Sequence, residues 1–196
     1  MNNQRFLYWK EEPPERKWKL IPDTPEDRAS AIQRGAMFFT WCSFSHEPGD
    51  GNEPVRFGDL PLDFDSKSDP QKALDDLRRL CLFYLPETYD IDPWDMHFYC
   101  SGGKGFHAVI PAHIFGLQDG HPQLPMIYGR LVREWSDELK LSTVDHSMYA
   151  MKRGKLFRIE NVRRSTGRYK VPLTRDDVGY CSIENLWVLS DSPRTA

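Results

Sequence analysis

The chain has 196 residues, of which 39% are hydrophobic and 13% aromatic, enough for one domain with a sizeable core. No apolar run approaches the roughly 18 residues that a membrane span requires, and the start Met1-Asn2-Asn3-Gln4-Arg5 lacks the apolar stretch of a secretory signal, so no membrane partner and a cytoplasmic location are expected. The net charge of −3 disfavours a protein that binds polyanions over its whole surface.

In chain order, residues 1–35 are polar and punctuated by Pro13, Pro14, Pro22 and Pro25, and are expected to form an N-terminal arm or accessory segment. Within it, Thr24-Pro25-Glu26-Asp27 has the form of a cap and first turn for a short helix running to Arg34. Residues 36–196 are expected to form the core. Strands are predicted over 37–44, 60–65, 97–100 and 106–110, then over 156–159 and 169–173 as a hairpin across Ser165-Thr166-Gly167. Two helices carry continuous apolar stripes. One follows Ser68-Asp69-Pro70, with Leu74, Leu77, Leu80, Cys81, Tyr84 and Leu85, and is predicted to stop at Pro86; the other spans 123–139, with Ile127, Leu131, Trp135 and Leu139. The pattern predicts an α/β (α+β) fold with a mixed, largely antiparallel sheet and packed helices.

Leu60, Leu62 and Phe64 alternate with Asp63 and Asp65, which period two places on one strand face, their α-carbons roughly 6.6–6.8 Å apart. A lone Asp-x-Asp is most often a solvated strand face, but two such acids can also share two divalent ions about 3.5–4 Å apart, the spacing of in-line phosphoryl displacement. Oxygen-only ligands favour Mg²⁺ or Mn²⁺. Asp145, in the apolar-flanked Thr143-Val144-Asp145, is a candidate third ligand.

Between two predicted strands lies Ser101-Gly102-Gly103-Lys104-Gly105-Phe106-His107. On its own this is an ordinary hairpin turn. Three glycines also permit positive φ and close backbone approach, so that amides can point at phosphate oxygens, with Lys104 adding a point charge and Ser101 and His107 further donors. The string matches neither the P-loop nor the dinucleotide fingerprint.

The negative net charge conceals a basic stretch. Residues 152–170 hold Lys152, Arg153, Lys155, Arg158, Arg163, Arg164, Arg168 and Lys170 against Glu160, a local charge of +7 that leaves −10 for the remainder. Such a run is commonly a solvated face; directly after Asp145 it also suits a groove for a nucleic-acid backbone. Cys42, Cys81, Cys100 and Cys181 are scattered without Cys-x-x-Cys spacing, which predicts reduced, buried thiols. Neither Cys42 with His46 nor His113 with His121 provides four clustered ligands, so structural zinc is not expected.

Asp63-x-Asp65, the Ser101-Gly-x-x-Gly-x-His107 string and the later Asp145, in that order, resemble the archaeo-eukaryotic primase superfamily and its primase-polymerase catalytic domains over roughly residues 35–175. Arg158 and the Thr166-Gly167 turn resemble the arginine and Thr-Gly hairpin that follow the third acid in many members; Val162, Arg163 and Arg164 occupy a stretch where several relatives carry Ser or His. The resemblance implies an RNA-recognition-like core that adds nucleotides to a growing strand or starts a primer. It implies Asp63, Asp65 and Asp145 as catalytic ligands of two Mg²⁺ or Mn²⁺ ions, and Ser101, Gly102, Gly103, Lys104, Gly105, His107 and Arg158 as the dNTP or NTP site. Lys152, Arg153, Arg163, Arg164, Arg168 and Lys170 would then follow a single-stranded DNA template with its primer. Related cores are often joined to a helicase or a helical accessory domain. The rival readings are an end-repair polymerase without primase activity, a metal-dependent nuclease, for which the triphosphate cradle would be superfluous, and a non-catalytic nucleic-acid-binding module.

Overall fold

The computed structural model describes residues 4–12, 17–49, 52–150 and 154–195. It is an α+β fold of two antiparallel sheets with helices packed on both, most of them on the second. The first sheet contains β1 (Phe6–Lys10), β2 (Lys19–Pro22), β3 (Phe38–Thr40), β4 (Ser43–Phe44), β5 (Arg56–Phe57) and β9 (Leu156–Arg158), in the order β5-β4-β1-β3-β9 with β2 also paired to β1. The second is formed by β6 (Leu60–Asp65), β7 (His97–Cys100), β8 (Gly105–Ile110) and β10 (Val171–Leu173), in the order β10-β7-β8-β6.

The core follows from strand alternation. Leu60, Leu62 and Phe64 of β6, Phe106, Ala108 and Ile110 of β8, and Phe98 and Cys100 of β7 point to one face of the second sheet and are buried. Leu74 and Leu77 of α2 (Pro70–Arg78) and Tyr128, Val132 and Trp135 of α4 (Leu124–Leu139) belong to the same apolar cluster. Asp69 caps α2 by accepting from the Lys72 N–H, with Pro70 at the first helical position. The opposite face of that sheet carries Asp63, Asp65, His107 and Tyr99.

Several expectations are corrected. The segment 1–35 is no arm over its described residues: β1 is a central strand of the first sheet, and Leu7, Trp9 and Ile21 form a small core with Phe39 and with Ala31 of α1 (Pro25–Gln33). Alternation in Phe6–Lys10 is masked in the sequence because Leu7, Tyr8 and Trp9 are all buried, the sheet being covered on both faces. The stretch 37–44 is two strands, β3 and β4. Strands β9 and β10 do not form a hairpin: β9 pairs with β3 and β10 with β7, so the chain passes from one sheet to the other between them. The second helix does not stop at Pro86. A wide turn over Arg79–Tyr84, closed by the Leu85 N–H on the Leu80 carbonyl, carries it into α3 (Leu85–Tyr89), which has the proline in its first turn where no N–H is needed. On α4 the buried stripe runs through Tyr128 and Val132, one position on from Ile127 and Leu131. Two C-terminal helices, α5 (Arg175–Tyr180) and α6 (Ile183–Leu189), were not foreseen; Thr174 and Ser182 cap them.

Candidate active site

Register places the site. Asp63 stands opposite His107 and Asp65 opposite Gly105 across the β6–β8 ladder, so the acidic strand and the glycine turn, far apart in sequence, become neighbours. The third acid arrives by an irregular edge: the Asp65 N–H donates to the Thr143 carbonyl and the Asp145 N–H to the Asp63 carbonyl, each at 2.8 Å, bracketing a bridge between Phe64 and Val144. Asp76 on α2, which the sequence analysis passed over, fixes that edge. Its buried carboxylate accepts from the N–H groups of Ser142 and Thr143 and from the Thr143 hydroxyl. A lone Asp among the apolar positions of a helix stripe is the signal that could have exposed it, because a buried acid needs donors.

Asp63, Asp65, Ser101, Lys104, His107, Arg158 and Arg164 together line a cavity of about 160 Å³, whose remaining wall is Phe38, Leu156 and Phe157 of the first sheet. Lys104 Nζ lies 2.5 Å from Asp65 Oδ2. The Ser101 hydroxyl oxygen is buried and accepts from the Gly105 N–H, and Gly102 takes the positive φ of +65° that turns the chain. Arg164 donates to the Ser101 carbonyl at 2.9 Å. Arg158 lies over Phe38 and within 3.4 Å of Glu12; burial, and after it the charge of Arg164, lowers its pKa to about 10, so it stays cationic at neutral pH. Asp145 sits beside Asp63 and outside the cavity wall, its Oδ1 accepting from the Ser147 N–H and its Oδ2 3.9 Å from Lys155.

The acids differ in proton affinity. Burial first, then the charges of Asp65 and Asp145, push the Asp63 carboxyl up to about 7. Burial also acts upward on Asp145, but hydrogen bonds from Ser147 and the nearby lysines outweigh it and hold the carboxyl below its usual range. His107, buried with its ring centroid 4.5 Å from that of Phe157, is held well below its usual pKa by that burial and is neutral, so its 3.4 Å approach to Asp63 is no ion pair.

Among the described residues, no three Asp, Glu, His or Cys side chains are gathered as a ready-made cation cage. Even so, Asp63 Oδ1 is buried without a hydrogen-bond partner and its carboxyl is crowded by two further acids, a donor set of oxygens only that fits a hard divalent cation. The four cysteines are free, Cys42, Cys81 and Cys100 buried and Cys181 partly so.

The basic stretch does not form one surface. Lys152 and Arg153 lie outside the described residues. Lys170 is 3% exposed and cannot follow a template: its ammonium donates to the Arg158 carbonyl and sits between the rings of Tyr99 and Phe157, at 4.0 and 3.9 Å. Arg168 lies 3.3 Å from Asp191 and over Trp187, while Arg163 is exposed. Burial lowers the Lys170 pKa to about 7. A folded-state pKa below the unfolded value means the unfolded chain binds more protons between pH 7 and 10.5, so this lysine costs most below pH 7 and its cost shrinks as pH rises. Lys170→Met, which keeps the stem and removes the charge, is therefore expected to raise the unfolding temperature more at pH 6 than at pH 9. Calorimetry at both values checks it, and an equal gain at both would contradict a buried cation.

No protein-family model matches the chain, and no curated protein is significantly similar to it.

Proposed function

We propose that the chain is a nucleotidyltransferase of the primase-polymerase type, joining nucleoside triphosphates to a strand under the direction of a single-stranded template. The observation that carries the reading is one cavity with Asp63 and Asp65 on one wall and Lys104, His107, Arg158 and Arg164 around it, a juxtaposition of carboxylates and anion-binding groups that both nucleotide and cation require. At about 160 Å³ the cavity suits phosphate groups and ions; it is smaller than the roughly 300–1,000 Å³ of sites that enclose a whole small ligand, so sugar and base lie outside it.

Asp63, Asp65 and Asp145 would hold Mg²⁺ or Mn²⁺. Bound there, such ions lower the pKa of an attacking 3′-hydroxyl and offset charge on the leaving pyrophosphate. Lys104, Arg158 and Arg164 place three cationic groups for the β- and γ-phosphates, whose charge-assisted hydrogen bonds are about twice as strong as neutral ones. In this arrangement Arg164 is a triphosphate ligand and not a template ligand. Neutral His107 donates one N–H and, unlike an imidazolium, does not compete with cations for Asp63.

The test is incorporation of labelled dNTPs and NTPs on primed and unprimed single strands with Mg²⁺ or Mn²⁺; no incorporation under any of these conditions would overturn the reading. Lys104→Ala is expected to weaken nucleotide binding about ten- to a hundredfold, the worth of one charge-assisted contact. Because Lys104 is half exposed and its ion pair with Asp65 is solvated, the fold should be indifferent to the change. Titration of a fluorescent nucleotide gives the answer, and unchanged affinity would remove the glycine turn from the site.

A further inference from the structure

We infer that a second cleft, on the same sheet face as the carboxylates, binds an unpaired stretch of nucleic acid, with a base stacked on Trp94 and a phosphate at Arg175. This deepens the proposed function by giving the template a path, and rests on that reading for the identity of the polymer. The cleft measures about 540 Å³, and Trp94, His97, Tyr99, Asn161, Arg175 and Arg194 are among the residues lining it. Tyr99 faces His107 across β7–β8 and His107 faces Asp63 across β6–β8, which places the cleft two strands along from the acids. Phe157, Lys170 and Tyr99, stacked in that order, form the wall between the two cavities.

The chemistry suits a single strand. Trp94 is 67% and Tyr180 78% exposed, unusual for such large rings, and the Arg175 guanidinium stands 5.8 and 5.9 Å from their centroids. An exposed indole gives a base a stacking partner, and a neighbouring guanidinium adds a cation for the linking phosphate; only unpaired bases present a free ring face. Arg175 is paired with Asp176, itself 62% exposed, a solvated pair that a phosphate can displace. Arg194 is anchored by Asp177 at 2.8 Å, yet its Nη1 is buried without a hydrogen-bond partner. Meanwhile two of the basic groups expected to follow the template are committed: Lys170 is buried and Arg164 holds the Ser101 carbonyl.

Binding of a labelled oligothymidylate, followed by fluorescence anisotropy without metal or nucleotide, tests the site on the full chain. Trp94→Ala is expected to weaken binding about ten- to a hundredfold and Trp94→Phe much less. Arg175→Ala should flatten the dependence of log affinity on log salt by about 0.7, the value of one single-strand phosphate contact. Duplex should compete poorly, because its bases present no free ring face. Wild-type affinity and slope in both Trp94→Ala and Arg175→Ala, or no binding of the strand by wild type, would overturn the inference. The two readings separate cleanly: a chain that incorporates no nucleotide but loses the strand on Trp94→Ala keeps this site and loses the proposed activity, and a chain that polymerises while Trp94→Ala and Arg175→Ala both bind as wild type does the reverse.

Discussion

Asp65→Asn is expected to lower metal-dependent nucleotide incorporation by about a thousandfold or more while leaving the fold unchanged. A lost carboxylate ligand to a catalytic cation removes several kcal/mol of barrier lowering, and about 1.4 kcal/mol corresponds to each factor of ten. The fold is insulated because the backbone of Asp65 is held by the Thr143 carbonyl whatever the side chain, which is partly exposed and pairs with the solvated ammonium of Lys104. Asp63 adds a pH signature. Its carboxyl titrates near 7 in the folded protein against 3.8 unfolded, so the metal-free fold holds the proton more tightly. Its contribution to stability is complete below about pH 4 and is lost as pH rises to about 7, a span worth on the order of 4 kcal/mol. A divalent cation bound there would take the place of that proton, so Mn²⁺ should raise the unfolding temperature more at pH 8 than at pH 6. Asp63→Asn should abolish the difference. Normal rates in Asp65→Asn, or an Mn²⁺ effect independent of pH in wild type, would sink the metal site.

How much of this was legible in the sequence depended on the range of the interactions. Strands β6, β7 and β8 and the stripe of α2 were readable because each declares itself locally: period-two alternation ending in Asp63 and Asp65, a glycine turn between two apolar runs, and Leu74, Leu77, Leu80 and Cys81 on one helix face. The cavity was half readable. The order of Asp63, Ser101 and His107 suggested their association, but only the β6–β8 register made Asp63 face His107. Lys170 was misplaced because charge in sequence says nothing of burial: it belongs to a basic run, yet it ends between two rings. The role of β1 was hidden because burial on both faces erases alternation, and the proline-rich residues around it read as an arm or accessory segment. For Asp76 the sequence offered only its place on the apolar stripe; its partners, Ser142 and Thr143, lie more than sixty positions away.

Gly105→Ala tests whether the ladder that creates the site is as tight as described, and is expected to be the most destabilising of the single-atom additions in the glycine turn's strand. A Cβ at this position would stand 1.8 Å from the Phe64 carbonyl oxygen and 2.7 Å from Asp65 Oδ1. The first contact is with the backbone of a paired strand, near its end, so relief requires that end of β6 to move away from β8 and to take Asp63 and Asp65 with it. Overpacking of an interior commonly costs 1–3 kcal/mol, and here no flexible side chain can yield, so a loss of about 3 kcal/mol or more is expected. Gly116→Ala is the control. Gly116 has φ +67° but nothing within 4 Å of its would-be Cβ, so it bears only the strain of a left-handed residue, about 1–2 kcal/mol. Urea unfolding of the two variants compares backbone collision with backbone strain. Titration of a fluorescent nucleotide into whatever Gly105→Ala protein remains folded reads the site itself, where binding should be lost because the displaced strand carries the acids off their register with His107. A Gly105→Ala protein as stable as Gly116→Ala, with nucleotide binding intact, would mean that β6 and β8 do not meet in the register that assembles the cavity.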